Sequence, residues 1–319
     1  MTYARIIGTG SYLPERTLTN ADLEKMVDTN DQWILERTGI SERHLMAPEE
    51  TTSTMAEIAA RRAIEAAGLQ PNDIELIIIG TATPDRFFPS TAAILQGRLG
   101  ITNHCPAFDV AGACAGFIYA MSIANLYIKS GAVKTALVLG AESLTRLVDW
   151  TDRTTCILFS DGAAGVVLQA DDKPGILSTH IHTDGAHKDL LYAPNHIGDL
   201  KNDPPLIKMK GNEVFKIAVT RLNEIVDETL QKNNLEKSDI DWLIPHQANV
   251  RIIQAAAKKL DLPMERVVMT VKNQGNTSAA SIPLALDISV RDGRVKRGEL
   301  LLMEAFGAGF TWGSALVRY

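Results

Sequence analysis

The chain has 319 residues, 45% hydrophobic and 22% charged, with 32 Lys and Arg against 38 Asp and Glu and a net charge of −6. An acidic balance argues against general nucleic-acid binding, because a phosphate-binding surface needs an excess of Lys and Arg, and the apolar content excludes a disordered or short-period fibrous chain. Cys105, Cys114 and Cys156 form neither a CxxC pair nor an even-numbered framework, so the expectation is a reducing compartment, no structural zinc and no metal site.

The N-terminus lacks a basic region followed by a long apolar run, and no uninterrupted apolar stretch reaches about 18 residues, so the chain is expected to be cytoplasmic and not membrane-bound. Residues 4–10 read as a first strand. Thr19 or Asn20 is placed to cap a short helix running to Met26. Residues 31–37 read as a second short helix with Trp33 and Arg37 four apart on one face, and residues 54–67 as a longer helix ending at Gly68. Residues 76–81 are apolar throughout, the pattern of a strand covered on both faces in a parallel sheet.

The stretch from Asp109 to Phe117 places Cys114 where a strand over 106–110 turns into a helix over 115–129 that is apolar nearly all round and therefore interior. Gly112, Ala113, Ala115 and Gly116 leave the sulfur accessible. Unpaired N–H groups and the helix dipole at that end favour a thiolate, by about one pKa unit from about 8.5. A buried lone cysteine is more often a small hydrophobe, so a nucleophile needs a partner elsewhere in the chain.

The two halves resemble each other, the first match at an offset of 166 residues and the later ones at shorter offsets. Residues 69–80 match 235–246, with Asp73 and Ile74 falling on Asp239 and Ile240; 134–141 matches 299–305, and 159–167 matches 310–318. A period this long is no solenoid, and it predicts two βαβ-rich halves, over 1–172 and 173–319. Between the repeats, residues 171–210 are rich in Asp, Pro, Gly and Asn and read as loops and short strands over the site.

In the second half, residues 242–249 run from a buried strand toward a helix over 249–260, with His246 at the junction. Residues 271–280 are read as leaving a strand and entering an apolar helix, with Asn276 at the turn. Strand ends are where α/β proteins place ligand chemistry, and a His and an Asn there supply a base or donor and a second, neutral donor. The helix after His246 carries Ile252, Ile253, Ala256 and Leu260 on one face and Arg251, Gln254 and Lys258 on the other, a locally basic face in an acidic protein.

Four motifs in order, Ala113-Cys-Ala-Gly-Phe, Pro245-His-Gln-Ala-Asn-Val-Arg, Gly275-Asn-Thr-Ser-Ala-Ala and Glu304-Ala-Phe-Gly-Ala-Gly-Phe-Thr-Trp-Gly, together resemble the beta-ketoacyl-acyl-carrier-protein synthase III family of the thiolase superfamily, over essentially the whole chain. The resemblance implies an α/β, thiolase-like five-layered αβαβα fold of two pseudo-symmetric halves, a homodimer, and an initiating acyltransferase of fatty acid synthesis. Acetyl-CoA or another short acyl-CoA would acylate Cys114. Malonyl-acyl carrier protein would then lose CO2 and condense on that thioester, with no cofactor beyond the CoA substrate.

The resemblance further assigns Cys114, His246 and Asn276 to catalysis. The Cys114 N–H and the loop of Gly307, Ala308 and Gly309 are the oxyanion candidates, and Phe306 presses on the malonyl carboxylate. Coenzyme A falls to Trp33, Arg37, Arg153, Gly211 and Ala248, with Trp33 and Arg153 clamping the adenine. The carrier protein falls to Gln247, Ala248, Asn249, Val250 and Arg251, and Phe87 and Phe88 of one subunit would close the partner's acyl tunnel. Two departures stand out: Gln274 where the family commonly has His, and Ala308 where it has a glycine, which would be strained if the loop needs a positive φ there. A degradative thiolase would carry a second cysteine near Gly307, and a papain-like hydrolase a different cysteine context; neither is present.

Overall fold

The computed structural model describes residues 2–195 and 204–319; part of the 171–210 segment lies outside them. In chain order, β1 (Tyr3–Tyr12), β2 (Thr17–Thr19), α1 (Asn20–Leu23), α2 (Asp31–Thr38), β3 (Glu42–His44), α3 (Thr52–Ala66), β4 (Ile77–Gly80), α4 (Thr91–Leu99), β5 (Ala107–Val110), α5 (Gly116–Lys129), β6 (Thr135–Ser143) and β7 (Asp161–Asp171) make the first half. The second contains β8 (Ile176–Thr183), β9 (Leu191–Tyr192), β10 (Lys208–Met209), α6 (Gly211–Asn233), β11 (Trp242–Pro245), α7 (Val250–Lys259), α8 (Val271–Gln274), α9 (Ser281–Arg291), β12 (Leu300–Gly307) and β13 (Thr311–Arg318).

Local chemistry sets several of these boundaries. Thr19, not Asn20, caps α1, in a capping box with Asp22, while the Asn20 side chain turns inward to accept from the buried Arg43. Asn30 caps α2, whose end is Gly39 at φ 76°, the left-handed conformation that glycine adopts without a Cβ penalty.

The first sheet has the order β1-β7-β6-β4-β5, with β4 parallel to both neighbours; the second has β8-β13-β12-β11, with β11 parallel to β12. The pairing order matches strand for strand, β1, β7, β6 and β4 corresponding to β8, β13, β12 and β11. Only β5 lacks a full counterpart. In its place the second sheet has a single parallel bridge, Leu243 to Val267. The strand expected before Asn276 is therefore a correction: that stretch is the short helix α8. The duplication also repeats in detail. The single 3-10 turns Pro71–Asp73 and Lys237–Asp239 are closed by the same carboxylate-to-backbone bond, Asp73 accepting from Gln70 N–H and Asp239 from Glu236 N–H, each at 2.8 Å.

Five layers result. Helices α3 and α4 cover the outside of the first sheet, α5 and α9 fill the space between the sheets, and α6 and α7 cover the outside of the second. Between the sheets, Phe117, Ile118, Met121 and Ala124 of α5 and Ile282, Ala285 and Leu286 of α9 are buried in one apolar cluster. Close approach here is a matter of glycine: a Cβ on Gly80 would fall 2.4 Å from the Gly116 carbonyl carbon. The expectation that α5 is apolar all round and wholly interior needs one correction, since Leu126 is 63% exposed. The 171–210 segment also needs one: β8 within it is a full edge strand of the second sheet, missed because its polar His180 and His182 mask a half-buried alternation. Among the described residues no helix is long and apolar enough to cross a membrane.

Candidate active site

Three polypeptide turns meet at one cavity of about 730 Å³, lined among others by Cys114, His246, Asn276, Phe306 and Glu304. Cys114 lies in a 3-10 turn, Ala113–Ala115, that leads into α5, with Ala113 in the left-handed region at φ 45°. The helix proper starts two residues later, so the sulfur is farther from the helix end than the sequence pattern placed it. Part of its surface opens to the cavity while dense protein surrounds the rest. That burial pushes the thiol up to about 12, opposite to the thiolate expected from the dipole, because removing an anion from water outweighs about one unit of helix-end stabilisation.

His246 follows β11, its backbone N–H donating to Glu304 O at 2.8 Å. Burial alone holds its ring at about 4, so the ring is neutral at physiological pH. Nδ1 sits 2.6 Å from Ser281 Oγ, and that same hydroxyl oxygen accepts from Gln247 N–H at 3.2 Å. Among the described residues Nδ1 is the acceptor available to the hydroxyl hydrogen, which assigns the ring hydrogen to Nε2. Asn276 is fixed by a comparable device: its Oδ1 accepts from Ser278 N–H at 2.9 Å, so its amide hydrogens are free to be donated.

The glycine loop packs directly on the cysteine. A Cβ on Gly307 would fall 2.6 Å from Cys114 N, so only glycine lets the end of β12 approach the nucleophile this closely. Ala308 is not in the left-handed region, and the positive φ of the loop, 137°, falls on Gly309. The strain anticipated for Ala308 is absent. Phe306 lines the cavity with its ring 4.7 Å from that of Phe310.

At the mouth, Trp33, Arg37, Gly211, Ala248, Asn249 and Arg251 line the same cavity. Arg37 lies 4.8 Å and Arg153 5.3 Å from the Trp33 ring centroid, and Arg153 also donates to Asp28 O at 2.7 Å. The clamp expected between Trp33 and Arg153 is therefore closed, because a guanidinium already occupies the ring face.

The proposed carrier-protein set is corrected more sharply. Gln247 is fully buried, its amide donating to Pro245 O and Val268 O and accepting from Thr270 N–H and Val271 N–H. Val250 packs over Gly39, and Asn249 caps α7 while donating to Arg37 O. Of that set only Arg251 is exposed. It stacks on Phe215 at the cavity mouth, beside the Trp33 and Arg37 entrance. Phe87 and Phe88 are 73% and 85% exposed and do not line this cavity.

Sequence reasoning missed four polar groups beside the centre: Ser278, Ser281, Glu142 and Glu304. The two carboxylates did leave a signal, each being a lone charge in a long apolar strand, over 135–143 and 300–307. Glu304 is buried with both carboxyl oxygens unpaired, and burial raises it to about 8.

A family profile described as 3-Oxoacyl-[acyl-carrier-protein (ACP)] synthase III matches residues 108–185, and its C-terminal counterpart matches residues 230–319. The chain is 61% identical, over 100% of both chains, to the Beta-ketoacyl-[acyl-carrier-protein] synthase III of Alkalilimnicola ehrlichii, and 60% identical, again over 100% of both, to that of Thiobacillus denitrificans. The crystal structure of 3-oxoacyl-[acyl-carrier-protein] synthase III from Aquifex aeolicus superposes with a TM-score of 0.94 at 48% identity, covering 99% of this chain and 100% of that one.

Proposed function

Because the chain belongs to the 3-oxoacyl-[acyl-carrier-protein] synthase III family, we propose that Cys114 carries the acyl group, with His246 and Asn276 as its partners in the condensation. The protein is an initiating condensing enzyme of type II fatty acid synthesis, an acyltransferase. The observation that carries the residue assignment is the convergence of these three side chains from separate turns on one cavity, with a neutral histidine.

In the first half-reaction the Cys114 sulfur attacks the thioester carbonyl of acetyl-CoA or another short acyl-CoA, and CoA departs. The tetrahedral oxyanion sits against the Cys114 N–H and the Gly307 to Gly309 loop, donors positioned before the charge develops. In the second, malonyl-acyl carrier protein loses CO2. The enolate oxygen is held by His246 Nε2–H and the Asn276 amide, and its carbon attacks the Cys114 thioester to give acetoacetyl-acyl carrier protein. Both donors are neutral, which keeps a full positive charge away from the malonyl carboxylate that must lose its electron pair as CO2. Phe306 presents an apolar ring there, disfavouring the charged ground state.

In this scheme acyl-CoA is a substrate and not a resident cofactor. Trp33, Arg37, Gly211 and Ala248 are the proposed CoA contacts, with Arg153 released from Trp33 when the base binds. Arg251 is the proposed carrier-protein contact. A homodimer acting in the cytoplasm completes the reading, supported by the exposed Phe87, Phe88 and Leu126.

Incubation with acetyl-CoA followed by intact-mass analysis and peptide mapping should find one acetyl group, on Cys114 and not on Cys105 or Cys156. An adduct elsewhere, or none with any short acyl-CoA, refutes the assignment.

A further inference from the structure

Acylation requires the Cys114 thiol to lose its proton, and His246 is badly set to take it. Its Nδ1 faces Ser281 at 2.6 Å, and the hydrogen-bond pattern leaves Nε2 already protonated. A second chain of polar atoms starts at the same sulfur. Ser278 neighbours Cys114, and its hydroxyl donates to Glu142 Oε1 at 3.1 Å, which leaves Oγ lone pairs to accept from the thiol. Ser278 is held in the left-handed region at φ 50°, an uncommon position for a serine.

Glu142 is fully buried near the end of β6. Its carboxyl accepts from Ala82 N–H at 3.2 and 3.1 Å and from the Thr83 hydroxyl at 2.7 Å, and no Lys or Arg is paired with it among the described residues.

We propose that Ser278 and Glu142 are the proton outlet of Cys114. This rests on Cys114 being the acyl acceptor. As the sulfur attacks the acyl-CoA carbonyl, the S–H bond breaks and its proton passes to Ser278 Oγ, while the Ser278 O–H proton passes to the Glu142 carboxylate. When the C–S bond to CoA breaks, the departing CoA sulfur takes the proton back along the same path, so the half-reaction neither consumes nor releases a net proton. Ser278 touches the reacting sulfur and is catalytic in this scheme; Glu142 acts through it as a positioning residue that stores the proton.

Burial holds Glu142 near 7 and His246 near 4, so the carboxylate is the better acceptor of the two. Glu304 of β12, buried, unpaired and lining the same cavity, is the competing carboxyl, but among the described residues no hydroxyl bridges it toward the sulfur as Ser278 bridges Glu142. The remaining ionisable groups on the surrounding elements are already engaged or remote. Asp161 of β7 takes Met46 N–H and the N–H and hydroxyl of Thr145. Asp85, in the loop after β4, takes Thr51 and Ser53, and Arg146, after β6, reaches Thr83 O at 3.4 Å. On α9, Asp287 is held by Thr9, Ser11 and Arg291, and on α3 Arg61, Arg62 and Glu65 are exposed.

The test follows single-turnover acylation by acetyl-CoA against pH, read by intact mass. Wild type should show a rate that rises through a limb near pH 7. Glu142→Gln, which keeps the shape and cannot take the proton, should acylate at least about 100-fold more slowly at pH 7, with its limb moved to high pH. Ser278→Ala should do the same, and Glu142→Asp should recover part of the rate together with the neutral limb, a rescue that a purely structural role does not give. If Glu142→Gln does not fold, Ser278→Ala carries the same expectation. Wild-type rates and pH profile in Glu142→Gln or in Ser278→Ala overturn the outlet. Absence of any acetyl adduct on wild-type Cys114 is a different failure, which overturns the reading of the enzyme.

Discussion

Neutral donors at His246 and Asn276 separate the two half-reactions. Ser281 sets the histidine tautomer and Ser278 N–H sets the asparagine amide, so both side chains face the enolate as hydrogen-bond donors and neither is needed to acylate the sulfur. His246→Ala and Asn276→Ala should therefore retain most Cys114 acylation while losing about 100-fold or more in malonyl decarboxylation, the scale seen when one oxyanion donor is removed. Release of labelled CO2, measured beside the acetyl adduct, checks this; equal loss in both steps would refute the division of roles.

Glu304 carries a stability cost that varies with pH. Its pKa is raised from 4.5 to about 8 by burial, so folded and unfolded states are equally protonated at low pH and the unfolded state ionises first as pH rises. Stability is lost progressively between about pH 4.5 and pH 8, on the order of 1.4 kcal/mol per unit. Glu304→Gln should melt with wild type at pH 4.5 and become the more stable protein, by a few kcal/mol, at pH 8. Thermal transitions at the two pH values decide it, and a constant difference would mean the carboxyl is solvated.

Helix α7 shows how an element divides its labour. Ile253, Ala256, Ala257 and Leu260 are buried under it, Asn249 caps it, and Arg251 turns to the cavity mouth beside Trp33 and Arg37, while Lys258 stays exposed away from the cavity. A charge at a shared entrance affects whatever enters. Arg251→Glu should raise KM for both acetyl-CoA and malonyl-acyl carrier protein. Lys258→Glu should weaken the carrier protein alone, with an effect that fades as salt shortens the Debye length below its ~8 Å at physiological ionic strength. Steady-state kinetics at two salt concentrations distinguish them, and a carrier-specific loss in Arg251→Glu would mean that Arg251 meets the carrier protein without sharing the CoA entrance.

Two matching sheets share a helical middle layer, and among the described residues the three most exposed large apolar side chains, Phe87, Phe88 and Leu126, all lie on the first half. If these rings reach into a partner subunit, Phe88→Ala should weaken the dimer in sedimentation and shift primer selection toward longer acyl-CoAs in the same variant. A monomeric wild-type protein, or an unchanged chain-length profile, counts against the partner-tunnel reading.

Much of this molecule could be read from the chain alone, because periodicity and turn chemistry are local. The apolar run over 76–81, the capped helices and the internal repeat are written in neighbouring residues, and Cys114, His246 and Asn276 are conspicuous because each stands at the end of an apolar segment. Burial and partnership are not local. The thiol acidity of Cys114 reversed once surrounding protein excluded water from the sulfur. The amide of Gln247 was claimed by four backbone groups from residues 245 to 271, and Arg153 closed on Trp33 because Asp28, 125 positions away, holds it there. Glu142 and Ser278 meet across 136 positions, a contact made only when the second half lays its turn against the end of the first half's sheet. Electrostatic terms depend on distance and dielectric, and both exist only after the chain has closed on itself.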